Sequence, residues 1–270
     1  MLAFDTKLTV VKPRIAICMT LEQRPEDALA LACAGNGCAC VDFRLDAHAL
    51  GPTSVAMDRL RATAEAVDVR FHYPLGPLDL SHGDPHEAER ALASTLEACD
   101  VAESSDVHYL TVHLGLQHEV PAARLTAAVD RLAGLVDYGR ARGVTVCLEN
   151  LRWGLTSEPD AFIELVRRSG ASVTFDVGHA ASSAAALSGY SAADFARLVR
   201  GHVRSAHVYE REDPHHIAPE SLDNIGPALE VLLESECDWW VVELFDAQEI
   251  RRTKDMLEAF VAERTGGERT

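Results

Sequence analysis

Six short apolar runs in this chain each stop on a carboxylate or an imidazole: VRFH on His72, YLTVH on His113, VTVCLE on Glu149, SVTFD on Asp176, VRSAH on His207 and WWVVE on Glu243. Successive stops lie 41, 36, 27, 31 and 36 residues apart, the length of one strand plus one crossover helix. Such spacing calls for parallel strands joined by helices. In a closed ring of parallel strands every C-terminal end opens on one face, so residues distant in sequence converge there. One histidine or aspartate after a strand is ordinarily a helix cap or a satisfied polar group. Six in register, all of types that bind divalent metals or move protons, point to a shared site.

Two earlier runs, RIAICMT at 14–20 and ACVDFRLD at 39–46, bring the strand count to eight. Between them lies PEDALALACAG, whose Pro25, Glu26 and Asp27 suit a first helical turn. The expected fold is a single α/β domain, a (β/α)8 TIM barrel, spanning 1–270 with a core over about 14–262. The length supports this, being close to the ~250 residues usual for that barrel. Later connecting segments, 84–105, 121–142, 158–168, 191–200, 222–235 and 246–262, have helical composition, and the terminal RTGGERT reads as a frayed tail.

The charge balance excludes one class of partner. With 25 Lys and Arg against 42 Asp and Glu, the net charge is −17, which disfavours gripping a phosphate backbone, so no nucleic acid partner is expected. Seven cysteines, at 18, 33, 38, 40, 99, 147 and 237, show no C-x-x-C pairing and read as reduced core residues. No apolar stretch reaches membrane-spanning length, and MLAFDTKLTVVKPR lacks a signal-peptide core. These features point to a cytoplasmic enzyme acting on a small molecule without a membrane partner; pairing into a homo-oligomer stays open.

Glu149, Asp176, His207 and Glu243 together offer one nitrogen and three carboxylates. That donor set suits five- or six-coordinate Mn²⁺, Mg²⁺ or Co²⁺ with positions left for substrate oxygens, better than a closed thiolate site; Zn²⁺ is also admitted. His179 follows Asp176 by three residues in FDVGHA, where Gly178 is expected to allow a tight turn that returns the imidazole to the opening.

The motifs TVHLG, LENL, FDVGHA, HVYE, DPHHI and VVELF resemble those of the xylose isomerase-like barrel superfamily, especially its sugar and sugar-phosphate isomerases and epimerases. The resemblance runs from about residue 14 to about 260. It implies that Glu149 and Glu243 are both metal ligands and the proton-transfer pair, that Asp176 and His207 complete the metal set, and that His179 touches substrate. His72 and His113 at neighbouring strand ends join the candidate substrate contacts. So do Arg44 and Asp46 in DFRLD, Arg211 and His215. The implied reaction is proton transfer through a metal-stabilised enediolate, on a sugar or sugar-like hydroxy-ketone. Elimination by a lyase or dehydratase could proceed from the same intermediate.

A second branch, the endonuclease IV type of AP endonuclease, uses three zinc ions and nine protein ligands. Here His72, His113, Glu149, Asp176, His179, His207, Asp213, His215 and Glu243 align with that pattern, including the D-x-H of Asp213, Pro214 and His215. The net charge of −17 argues against it. The chain also departs from the sugar-epimerase pattern: Asp213 stands where those enzymes carry an arginine six positions after the histidine matched by His207.

Overall fold

Residues 11–20, 40–45, 67–73 and 79–266 are described by a computed structural model. Strands β1 (Arg14–Thr20), β2 (Cys40–Arg44), β3 (Asp68–Tyr73), β4 (Tyr109–Val112), β5 (Thr145–Glu149), β6 (Ser172–Asp176) and β7 (Val203–Val208) lie side by side in sequence order. After a two-stranded antiparallel ribbon, β8 (Arg211–Glu212) and β9 (His216–Ile217), strand β10 (Trp239–Val242) closes the ring between β7 and β1. All eight ring pairings are parallel. With helices between the later strands, this is a (β/α)8 TIM barrel. The helix expected near 25–35, Cys33, Cys38, Asp46 and residues 74–78 of the loop after His72 lie outside the described residues.

The helices begin and end where their terminal chemistry dictates. Asp84 caps α1 (Pro85–Ser104), its carboxylate accepting from the His86 backbone N–H at 2.8 Å. Pro121 precedes α2 (Ala122–Arg140), which buries Val129, Leu132, Leu135 and Val136 along one stripe. The chain continues with α3 (Pro159–Ser169), α4 (Val177–Ser182), α5 (Ala184–Leu187), α6 (Ala192–Val199) and α7 (Gly226–Leu233). Helix α8 (Ala247–Thr265) ends at Gly266, whose φ of 70° is the left-handed stop that glycine takes at low cost. The expected tail RTGGERT therefore starts inside α8, where Arg264 donates to Glu230.

Strand alternation divides the interior in two. Ile15, Ile17, Val41, Phe43, Phe71, Leu110, Leu148, Phe175 and Trp240 join one extensive core with the helices, whereas Ala16, Cys18, Cys40, Trp239 and Val241 form a separate small cluster. Period-two alternation puts the first set outside the ring and the second within it. Branched aliphatic side chains ordinarily fill such a ring. Here Asp42, Arg70, Thr111, Thr174 and Ser205 are all buried polar groups at inward positions, with the Thr111 and Thr174 hydroxyls 2.7 Å apart. The described cysteines, 18, 40, 99, 147 and 237, are buried. Among the described residues no helix is long and apolar enough to cross a membrane.

Arg70 occupies the end of the ring opposite the strand C-termini. Its guanidinium lies over the Tyr109 ring at 3.7 Å and the Trp239 ring at 4.7 Å, donates to the Arg204 carbonyl at 2.6 Å and pairs with Asp238 at 2.6 Å. Asp238 is half-exposed, so desolvation of the pair is incomplete. Arg70→Ala is expected to cost about 2–4 kcal/mol, through the lost stacking and an unpaired carbonyl. Urea unfolding reads this directly, and a change below about 0.5 kcal/mol, the range of ordinary surface substitutions, would show that Arg70 does not brace the ring.

Candidate metal centre

At the strand C-termini the six expected residues converge. Glu149 Oε2 lies 3.0 Å from His113 Nε2, 3.4 Å from His72 Nε2 and 3.3 Å from His207 Nδ1. His207 Nδ1 is also 3.1 Å from Glu243 Oε2 and 3.9 Å from Asp176 Oδ2. Glu149, Asp176, His207 and Glu243 thus each present a ligand atom within 4.8 Å of the others, and all four are buried. Donors about 2.1 Å from a six-coordinate ion sit about 3 Å apart along the edges of its polyhedron. The closer spacings match that. Buried Glu149 Oε2 and both nitrogens of His207 lack a hydrogen-bond partner, and a cation would satisfy such atoms. The residues fit a divalent ion.

Neighbouring groups fix these side chains in place. Asn150 bridges two strand ends: its amide donates to the Asp176 carbonyl at 2.9 Å and accepts from the Asp176 N–H at 2.8 Å. Asp176 caps α4 by accepting from the His179 N–H at 2.6 Å, and its other oxygen accepts from the Tyr209 hydroxyl at 3.1 Å. Nδ1–H of His179 donates to the Asn150 carbonyl at 2.9 Å, which turns Nε2 toward Glu212, 3.2 Å away. Gly178 lies within α4 rather than in a turn, and the reason for glycine is close packing: a Cβ there would stand 2.1 Å from Cε2 of Tyr209. The expectation of a Gly178 turn is corrected accordingly.

A family description, xylose isomerase-like TIM barrel, matches residues 30–261. The chain belongs to that family. Among curated proteins, the uncharacterized protein MJ0008 of Methanocaldococcus jannaschii is 31% identical over 156 residues, 57% of this chain and 66% of that protein. The chain thus matches just under two thirds of that relative's length. A solved D-tagatose 3-epimerase-like protein superposes with a TM-score of 0.75 at 19% identity, covering 94% of this chain and 98% of the other. L-ribulose 3-epimerase gives a TM-score of 0.72 at 15% identity, over 94% and 95% of the two chains. The TTHB071 protein of Thermus thermophilus, soaked with ZnCl2, gives 0.67 at 21% identity, over 95% and 99%. At these identities the likeness is one of fold, and this chain shares its barrel fold with all three.

Charge in the family barrel's mouth is partitioned by burial and by contact. Burial opposes ionisation of Glu149, yet His207, His113 and His72 outweigh it and hold its carboxyl well below the usual range. Glu243 is likewise lowered against burial by His207 and His72. His207 is raised well above an ordinary imidazole because Glu149 and Glu243 overcome its own desolvation. Burial lowers His72 well below the ordinary value, and the nearby carboxylates do not offset it. His179 is pushed up to about 10, its burial outweighed by Asp176 and Glu212. Asp176 is raised to about 6, chiefly through burial with Glu149 and Glu243 adding to it.

The Asp176 shift has a signed consequence. A carboxyl raised to about 6 in the fold, from about 3.9 in the unfolded chain, opposes folding of the metal-free protein increasingly as pH rises from about 4 to about 6. Below about pH 6 a cation must displace the Asp176 proton, and at any pH near neutral it must also displace one from His207. Affinity for a divalent ion is therefore expected to climb as pH rises through about 6 and to go on climbing above it, with proton release on binding. Calorimetric titration in buffers of different ionisation enthalpy measures both; affinity independent of pH would contradict the assignment.

The remaining sequence candidates are distributed along the rim. Arg44 ends β2 in register with His72 and is half-buried. Arg211, Asp213 and His215 are exposed on the ribbon, with the Asp213 N–H bonded to the His215 carbonyl. The ribbon residues that meet His179 are instead Glu212 and His216, which with it form a further ligand-like group. Asp213 and His215 lie in the turn that joins the two strands of the ribbon, beyond the paired Glu212 and His216. His216 stacks on Tyr209 at 3.9 Å and donates to the Glu243 carbonyl at 2.7 Å, while Arg152 pairs with Glu212 at 3.1 Å. The pattern of acids and imidazoles at strand ends does not point to Glu212, His216, Tyr209, Asn150 or Asp42.

Proposed function

We propose that the chain is a divalent-metal-dependent isomerase or epimerase of a small sugar or sugar-like hydroxy-ketone. Glu149, Asp176, His207 and Glu243 would hold the ion, Mn²⁺, Mg²⁺ or Co²⁺ by donor type with Zn²⁺ admitted. When bound, the ion supplies a grip on a carbonyl and an adjacent hydroxyl oxygen and stabilises the charge of the enediolate. Glu149 and Glu243 are the proton-transfer pair, one removing the proton and the other returning it on the opposite face.

The observation that carries this reading is the placement of the two glutamates. They come from β5 and β10, three places apart around the ring, and both turn Oε2 to the same nitrogen of His207, at 3.3 and 3.1 Å. Oε1 of Glu149 and Oε1 of Glu243 are less engaged, 3.6 Å from His179 and 3.8 Å from His72. Each carboxylate thus keeps one oxygen for a proton while the other is directed at the ligand cluster. We assign His113 and His179 to substrate beside the carboxylates, His72 beneath them, and Arg44, Arg211 and His215 to the rim. The fold shared with proteins described as D-tagatose 3-epimerase-like and L-ribulose 3-epimerase supports the substrate class.

The test is a panel of ketoses and ketose phosphates incubated with metal-stripped protein, with and without added Mn²⁺. Turnover of at least one member, restored by the ion and stopped by a chelator, is expected. Failure of every member in the ion-loaded protein would overturn the proposal.

A second reading rests on two further groups adjoining the first, His72 with His113 and Glu149, and His179 with Glu212 and His216. Such an arrangement would suit an endonuclease IV-like phosphodiesterase with three zinc ions. A net charge of −17 weighs against a polyanionic substrate. Strand cleavage of abasic-site DNA by the Zn²⁺-loaded protein would reverse the ranking.

A further inference from the structure

Asp42 sits inside the ring at mid-strand on β2, two residues before Arg44 and one layer below the strand ends. It is 1% exposed, and neither of its oxygens has a hydrogen bond. A carboxylate this deep without compensation is costly. Its surroundings name the missing partners. Asp42 Oδ2 stands 3.3 Å from Nε2 of His207 and 3.6 Å from Nδ1 of His72. The opposite nitrogens of the same rings, Nδ1 of His207 and Nε2 of His72, are those that face Glu149. One carboxylate therefore backs two imidazoles whose other ends point at the cluster, and the two rings lie 4.9 Å apart between centroids.

We propose that Asp42 is a positioning residue for the metal centre, accepting Nε2–H of His207 so that this ring is held in the tautomer that turns its Nδ1 lone pair toward the cation, while Nδ1 of His72 faces the same carboxylate from 3.6 Å. Metal-binding histidines generally donate their second N–H to such an acceptor, which fixes ring orientation and strengthens the ligand. The proposal rests on the reading of the site as a divalent-ion centre and adds to it a residue that touches neither ion nor substrate. It also accounts for polar filling where a barrel ordinarily places a branched aliphatic residue.

Two variants test it. Asp42→Asn keeps the shape and an acceptor oxygen but removes the charge, and Asp42→Leu removes both. Circular dichroism and thermal melting of the metal-free proteins establish folding independently. Affinity for Mn²⁺, measured by competition with a chelator, is expected to fall about 10–100-fold in Asp42→Leu and by less in Asp42→Asn. In ¹⁵N-histidine-labelled, Zn²⁺-loaded wild type, His207 is expected as the Nε2–H tautomer with a hydrogen-bonded proton, and that proton signal is expected to vanish in Asp42→Leu. Wild-type affinity and an unchanged His207 signal in both folded variants would overturn the proposal. Loss of a whole equivalent of bound ion with the remaining affinity intact would also overturn it, since Asp42 would then be a ligand. If wild type itself binds no ion, it is the metal-centre reading that fails.

Discussion

Glu149→Gln is expected to lower turnover by about 10²–10⁴-fold, the range for removing a positioned proton-transfer group, and to weaken divalent-ion binding at the same time. Glutamine preserves the shape of the side chain. It removes the charge that three imidazoles surround at 3.0, 3.3 and 3.4 Å. It also removes the basic oxygen. No other residue of the mouth belongs to both the His72 and His113 group and the His207, Asp176 and Glu243 group, so compensation by a neighbour is not available among the described residues. Turnover within about threefold of wild type, in protein shown to be folded and ion-loaded, would remove Glu149 from the chemistry.

The second large effect separates the two glutamates. Glu243→Gln is expected to abolish product formation to a similar extent while leaving exchange on one face. With Glu149 intact, a proton still leaves the substrate carbon and returns from solvent to the same face. Substrate incubated with this variant in D2O would then acquire deuterium without inverting. Proton NMR of the recovered substrate reads exchange and inversion in one spectrum. Equal loss of both would show that Glu243 serves the ion alone, and normal inversion would show that it serves neither role.

Much of this architecture was legible because barrel geometry writes itself into period and spacing. VRFH, VTVCLE and SVTFD each alternate an outward hydrophobe with an inward residue, and a polar group at the last inward position reaches the mouth by construction. Residues 145–149 and 172–176 form the strands that such runs predict. Asp42 was not legible: an acid in the middle of CVDFR could face either way until the ring fixes that Val41 and Phe43 pack outward. The ribbon defeated sequence reading for a different reason. Its strands have two residues each, too few for a period, so the D-x-H spacing of Asp213 and His215 is the visible signal although Glu212 and His216 are the residues that group with His179. Gly178 was legible as a required glycine, but its cause, the Tyr209 ring, lies 31 residues further along the chain.

The most direct measurement is calorimetric titration of the metal-stripped protein with Mn²⁺ near neutral pH, with the electron paramagnetic resonance of the bound ion recorded at saturation. Uptake of at least one equivalent is predicted, with nitrogen coupling that disappears in His207→Ala. No binding of Mn²⁺, Mg²⁺, Co²⁺ or Zn²⁺ at millimolar concentration by the folded protein would contradict a metal centre at the barrel mouth.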